Sequence, residues 1–357
     1  GMHVNIGILL DMQGRKSEAD KHWNKALEIN SDIGNLEQEG SILLNYGVFH
    51  HSINNFEKAI ENFQKANAIF SSIGMNNYLA LSIGNMGEVY LQISDFQHSF
   101  DCLVDSIEQF KQLENKEDEL YFLYLLGKFW FIIGDIGELS GVLNKYELIS
   151  LTEKQLSEKA NKHFAFLKMF VSMLSENNVN EIEFSNTLLR ALDLDESNDS
   201  IEQIFIFCEY LIKKENYLKV KELISLVKID IKIKDNNLLS AYRYYLLGKI
   251  AKAKPEIENN PAIKNFEKAF EIIENESVTE LTWKILFEIT DLYWERGNIN
   301  KSKKPRIYAY ELINLIGENI SNSKIRSAYF NHPIRKIALD KLKLIGNQVQ
   351  INEFQQS

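Results

Sequence analysis

Asn-x-Gly occurs three times at a spacing of 40 residues: Asn5/Gly7 in "VNIGILL", Asn45/Gly47 in "LNYGVFH" and Asn85/Gly87 in "GNMGEVY". Gly127 continues the glycine series. A period in this range marks stacked supersecondary units rather than one closed core. A second pattern follows each glycine at a fixed offset: Ala19, Trp23, Ala26; Ala59, Phe63, Ala66; Ser99, Leu103, Ser106; Leu139, Leu143, Tyr146. Small, large, small at i, i+4, i+7 lies on one helical face. The fourth set keeps the spacing and loses the small residues. Each unit is therefore predicted to pair a helix A, carrying the glycine, with a helix B whose large residue fills the space that the glycine leaves. Only four prolines occur in 357 residues, which suits long helices better than a turn-rich sheet.

The second unit, "LLNYGVFHHSINNFEKAIENFQKANAIF", shows the pattern best. Its small residue near mid-helix, followed by Ala-x-x-x-Phe-x-x-Ala in the next helix, resembles the tetratricopeptide repeat. The period is about six residues longer than the usual 34. The extra length falls between helix B and the next helix A, where "SDIGN" and "SSIGM" supply a Gly C-cap and "KQLENK" an Asn. The resemblance implies an all-α fold, a right-handed α-α superhelix closed by a C-terminal capping helix around "NSKIRSAYFNHPIRKIALDKL". About eight hairpins are expected. Four regular ones span residues 1–150, a degenerate repeat 151–200, and three further hairpins 201–320. The capping helix and tail occupy 321–357. A solenoid with six residues before Gly7 is expected either to be part of a longer protein or to have an unusually bare first repeat.

In such an array the A helices line the concave face. Asn5, Asn45 and Asn85 sit two positions from the packed glycines, so they are predicted to face that groove. Their amides offer donors and an acceptor to the backbone of an extended peptide. The column ends at Leu125 in the fourth unit. His51, Glu88, Lys128, Glu209, Lys249 and Asp291 share the inward register, with Tyr121, Tyr124, Tyr242 and Tyr245 flanking them. Tyrosine supplies contact area with a polar handle, though aromatic residues at helical spacing also serve as core.

No catalytic motif survives inspection, and no cofactor or metal is expected. "QGRKS" at 13–17 lacks the first glycine of a phosphate loop. His50 and His51 are adjacent, so on a helix they diverge by about 100° and cannot share a metal easily. The two cysteines, Cys102 and Cys208, form no ligand or disulfide spacing. The net charge of −10 argues against direct nucleic-acid binding. Residues 297–346 depart from it: ten basic minus three acidic residues leave +7, a candidate docking face. No apolar run is long enough for a membrane span. The expected function is a non-catalytic scaffold binding a protein or peptide segment in its groove. It would form the interaction or sensing arm of a larger cytoplasmic signalling or transcription regulator. Self-association and a superhelix that compacts around a sensed peptide are the rival expectations.

Overall fold

The computed structural model describes residues 2–153, 155–175, 180–194, 199–226, 229, 230, 233, 236–253, 261–276 and 278–356. Among these, every regular element assigned is an α-helix, with no strand. Sixteen helices follow one another as eight A–B pairs: α1 (Met2–Met12) and α2 (Lys16–Ile33), α3 (Leu36–Ser52) and α4 (Phe56–Ile73), α5 (Asn76–Gln92) and α6 (Phe96–Gln112), α7 (Lys116–Ile133) and α8 (Ile136–Thr152), α9 (Glu158–Leu174) and α10 (Glu181–Leu194), α11 (Asp199–Lys213) and α12 (Tyr217–Ile224), α13 (Asn237–Lys252) and α14 (Ala262–Ile273), α15 (Glu280–Glu295) and α16 (Ile299–Glu318). Two more, α17 (Ser323–Asn331) and α18 (Pro333–Gln356), follow. The sequence predicted one capping helix. An elbow at His332 makes two, because the residue before a proline is held extended and Pro333 is preorganised to start a helix.

The A–B contact is built as the spacing predicts. A Cβ placed on Gly47 would lie 2.5 Å from the Phe63 ring, and one on Gly248 2.6 Å from the Phe266 ring. Trp23 and Leu103 fill the same place against Gly7 and Gly87, each at 3.0 Å. Ala59, Phe63 and Ala66 are fully buried. In the third unit serine replaces alanine and bonds the helix A of its own hairpin: Ser99 Oγ donates to Gly87 O at 2.9 Å and Ser106 Oγ to Ala80 O at 2.8 Å. In the fourth, Tyr146 fills the position itself, fully buried, its hydroxyl donating to Ala160 O at 2.8 Å.

The turns repeat with the same period. A left-handed residue closes helix A at Gly14, Asn54, Ser94 and Gly134. Helix B ends on left-handed Gly34 and Gly74, but in the third unit on Glu114, not on the Asn that the sequence predicted. Asn115 instead accepts the amide of Asp118 at the start of α7. This is a general use of asparagine in the chain: Asn35, Asn55, Asn216, Asn236, Asn298 and Asn322 all accept a backbone N–H at a helix start. A residue that weakens helix interiors here fixes where helices begin. Pro305 lies inside α16. Its cost, on the order of 3 kcal/mol, is offset by burial of Ala309, Leu312, Ile313 and Ile316 on the same helix.

The chain divides into two compact units. The first comprises residues 1–92, 98–129 and 144–163, and the second 93–97, 130–143 and 164–357. In the first, Ile42, Tyr46 and Phe49 of α3 share a core with Trp23 and Ala26 of α2. In the first three hairpins and in α13–α14, helix A meets its own helix B at a glycine, and α3 meets the preceding helix B through its apolar face.

Gly47→Ala is expected to destabilise the fold by about 1–2 kcal/mol. Overpacking against Phe63 costs about 1–3 kcal/mol and outweighs a helix-propensity gain of about 1 kcal/mol. Gly141→Ala, inside α8 with nothing within 4 Å of its added carbon, is expected to be neutral or stabilising. Thermal unfolding followed by circular dichroism compares the two.

Candidate functional site

The candidate site in the first unit lies on the A helices. Two positions along a helix turn the side chain by about 200°, so the asparagines point away from the B helices that the glycines touch. Asn5 and Asn45 are exposed and Asn85 is half-buried. Asn45 Nδ2 donates to Ser41 O in its own helix at 2.8 Å. Among the described residues, no hydrogen bond reaches the side chains of Asn5 or Asn85. Leu125, at the fourth position of the column, is buried. Exposed Ile8 and Val48 lie three positions beyond Asn5 and Asn45, and half-buried Glu88 three beyond Asn85.

The neighbouring candidates are tied to one another. His51 Nε2 lies 2.6 Å from Gln92 Oε1 on the next helix A. Tyr121 donates to Glu88 Oε2 at 3.0 Å, and the Lys159 ammonium sits 4.3 Å from the centre of its ring. All three are half-buried and remain at the surface. Tyr124 and Lys128 correct the sequence expectation, for both are buried. The Tyr124 ring stacks on His163 of α9, centroids 4.2 Å apart and planes 2° from parallel. The next helix A covers the position that was predicted to face a ligand.

The second unit holds a denser polar ladder. Tyr242 donates to the Glu209 carboxylate, which Lys284 also reaches at 3.1 Å. Lys249 pairs with Glu288 at 2.6 Å, and Lys252 bridges Glu288 at 2.7 Å and Asp291 at 2.6 Å. Lys341 of α18 closes the row on Asp291. Burial alone would raise the carboxyls of Glu288 and Asp291. Lys249 and Lys252 outweigh it at Glu288, and Lys252 and Lys341 at Asp291, so both are held below the ordinary carboxylate range. Tyr245 is buried beside Phe266, a second correction: it belongs to the core of its hairpin. Burial pushes the phenols of Tyr242 and Tyr245 well up, with Glu209 adding to it. Lys249, predicted to meet a ligand, already has its anion. The sequence reading missed Lys252, Lys284 and Glu288. A signal existed: Lys249/Glu288 and Lys252/Asp291 are both 39 residues apart, and Glu88/Tyr121 and Glu209/Tyr242 both 33.

The C-terminal helices do more than cap. Arg335 is 2% exposed. Its Nη2 donates to Glu280 Oε2 and to Ile132 O, both at 2.8 Å, and its guanidinium carbon sits 3.9 Å from the centre of the Tyr329 ring. A cation thus ends α7 on carbonyls that have no partner within the helix. Tyr329 donates to the other Glu280 oxygen at 3.1 Å. The Glu280 amide donates to Ser94 Oγ at 2.8 Å, and the Asn322 amide to Gln97 Oε1 at 2.9 Å. Lys324 pairs with Glu138. Within the second unit, then, α15, α17 and α18 clasp the A–B turns of the third and fourth hairpins. The basic stretch is less available than its charge count implies. Arg335, Lys324 and Lys341 have carboxylates, and Lys301 and Lys343 lie over Tyr293 and Tyr310.

A family model described as tetratricopeptide repeat matches residues 40–71. That segment lies in the hairpin where Gly47 meets Phe63, and Gly7, Gly87 and Gly248 meet their own B helices in the same way. That hairpin is similar to a tetratricopeptide repeat. No curated protein matches its sequence significantly. Among solved structures, a Rap protein complexed with competence and sporulation factor is 14% identical. That match covers 96% of this chain and 84% of the other, with a TM-score of 0.48. An IFIT1 monomeric mutant with a capped RNA is 12% identical, covering 99% and 82%, with a TM-score of 0.46. The tetratricopeptide domain of P58(IPK) is also 12% identical, covering 98% of each chain, with a TM-score of 0.25. Among the described residues no helix is long and apolar enough to cross a membrane, and no group of three or more metal-ligating side chains occurs.

Arg335→Met is expected to cost about 3 kcal/mol, the low end for a buried pair, since it leaves half-buried Glu280 and the Ile132 carbonyl without their cation. A fall in the urea midpoint of the full chain measures it. Acid sensitivity follows from two histidines. Burial, reinforced by Arg335, Lys284 and Lys213, lowers His332 to about 3. Burial, with Lys58, lowers His50 to about 4. Below the unfolded value of about 6.5 the unfolded chain takes up protons that the folded chain refuses, so stability falls as pH drops from 6.5 towards 4. Urea midpoints across that range should decline for the parent and flatten for His50→Gln/His332→Gln.

Proposed function

We propose that this chain is a non-catalytic binding scaffold that holds an extended peptide segment against the A-helix face of its first three hairpins. One observation carries the proposal: Asn5, Asn45 and Asn85 recur at one register, and their amides have no partner outside their own helices among the described residues. A peptide lying across the A helices meets one amide per hairpin. Each can bond main-chain groups without regard to the peptide's side chains, while Ile8 and Val48 offer apolar contact. Glu88, Tyr121 and His51 border this row, already oriented by their hydrogen bonds, and so lose little freedom on binding. The ladder in the second unit is satisfied internally and serves stability in this proposal. The wider setting in this reading is the interaction or sensing arm of a larger cytoplasmic signalling or transcription regulator.

The test uses peptides selected from a random twelve-residue display library on the parent protein, with affinities measured by calorimetry. Asn45→Ala/Asn85→Ala is expected to weaken them by about 5- to 100-fold, from two lost hydrogen bonds of about 0.5–1.5 kcal/mol each. Unchanged affinity in a folded double variant excludes the asparagine row as the anchor.

A further inference from the structure

The 40-residue register pairs one position of each helix A with one of its own helix B, 19 residues on. Three hairpins place Leu43 and Asn62, Ile83 and Cys102, and Leu123 and Val142 there. In the first hairpin both members are histidine, His3 and His22. His3 stands one turn before Gly7, and His22 precedes Trp23, so the pair flanks the contact between that glycine and that ring. The two Nδ1 atoms lie 3.0 Å apart and the ring centroids 5.0 Å apart. Both side chains are half-buried, so neither ring is enclosed.

We infer that His3 and His22 form a site for a divalent transition-metal ion of the zinc type, bound through both Nδ1 atoms. Imidazole nitrogen suits such ions. Zinc holds each nitrogen at about 2.0–2.1 Å, so two of them at a right or tetrahedral angle stand about 2.8–3.4 Å apart. The observed 3.0 Å falls in that range. In the hydrogen bond one proton lies between the nitrogens. An ion stands off the line joining them, so each ring turns by about 35–45° to aim its lone pair. No group of three or more ligating side chains occurs among the described residues, so water completes the shell. The ion fastens α1 to α2 away from their turn at Gly14. The site lies where α1 meets its own helix B, and it does not depend on the function proposed above.

Zinc alone is the probe. Calorimetric titration of the full chain is expected to show one saturable equivalent. The affinity should fall by about tenfold or more for His3→Gln and for His22→Gln, each of which removes one ligand. It should be unchanged for His98→Gln, an exposed histidine on α6. Zinc should also raise the thermal midpoint of the parent and leave that of His22→Gln where it is. Circular dichroism checks that the variants fold. A measurement on the parent needs no variant: in nitrogen-15 spectra of the histidine rings, zinc is expected to move the Nδ1 resonances of both His3 and His22. Absence of zinc binding by the parent, or binding that either folded variant retains at full strength, overturns the proposal. So does a zinc-bound parent in which only one of the two Nδ1 resonances moves, since the ion is then held by a single histidine.

Discussion

The close approach of helix A to helix B at a glycine is the contact on which the rest depends. With 2.5 Å between the Phe63 ring and where a Cβ on Gly47 would stand, the two helices are nearer than any side chain at that position permits. The aromatic ring then covers the bare backbone and is itself sealed by Ala59 and Ala66. Because the same contact recurs, each hairpin presents the next with a similar apolar face, and stacking follows from burial of that face. The hairpins that depart from the pattern show the alternatives. Serines replace alanines and bond the neighbouring backbone, or Tyr146 takes the space and bonds the following hairpin.

Turn chemistry makes the period regular. A left-handed residue ends each of the first four A helices, and asparagine caps many of the helices that follow. Glycine holds two of those four positions, Asn54 and Ser94 the others. The left-handed conformation is costly for most side chains and tolerable for asparagine. The abundance of asparagine, unhelpful to helix interiors, has its use here.

Polar residues on the A helices divide by unit. In the second, acids and bases one repeat apart meet on adjacent A helices and neutralise each other, so Glu288 and Asp291 stay ionised though buried. Removing water from such groups is costly, and paired cations are what make it tolerable. In the first unit the row is sparse and its amides are open, which leaves hydrogen-bonding capacity for a ligand. The C-terminal basic stretch is largely drawn into the fold: Arg335 ends α7 and pairs with Glu280, and Lys341 joins the ladder.

Several features were legible in the residues alone. The 40-residue spacing gave the hairpins, the glycine register gave the A–B contact, and the loss of the column at Leu125 matched its burial. These are local or periodic facts, set by helix geometry within about seven residues of each position. The state of each candidate side chain was not legible. The register points Lys128 inward, with Tyr124 and Tyr245 beside such positions, yet all three are buried: His163 of α9 stacks on Tyr124, and Tyr245 packs on Phe266 of its own hairpin. Lys249 meets its anion 39 residues away, and Arg335 its carbonyls about 200 residues away. Periodicity tells which way a side chain points. Only the packed chain decides whether something already stands there, because burial and ion pairing are made by residues that sequence distance does not rank.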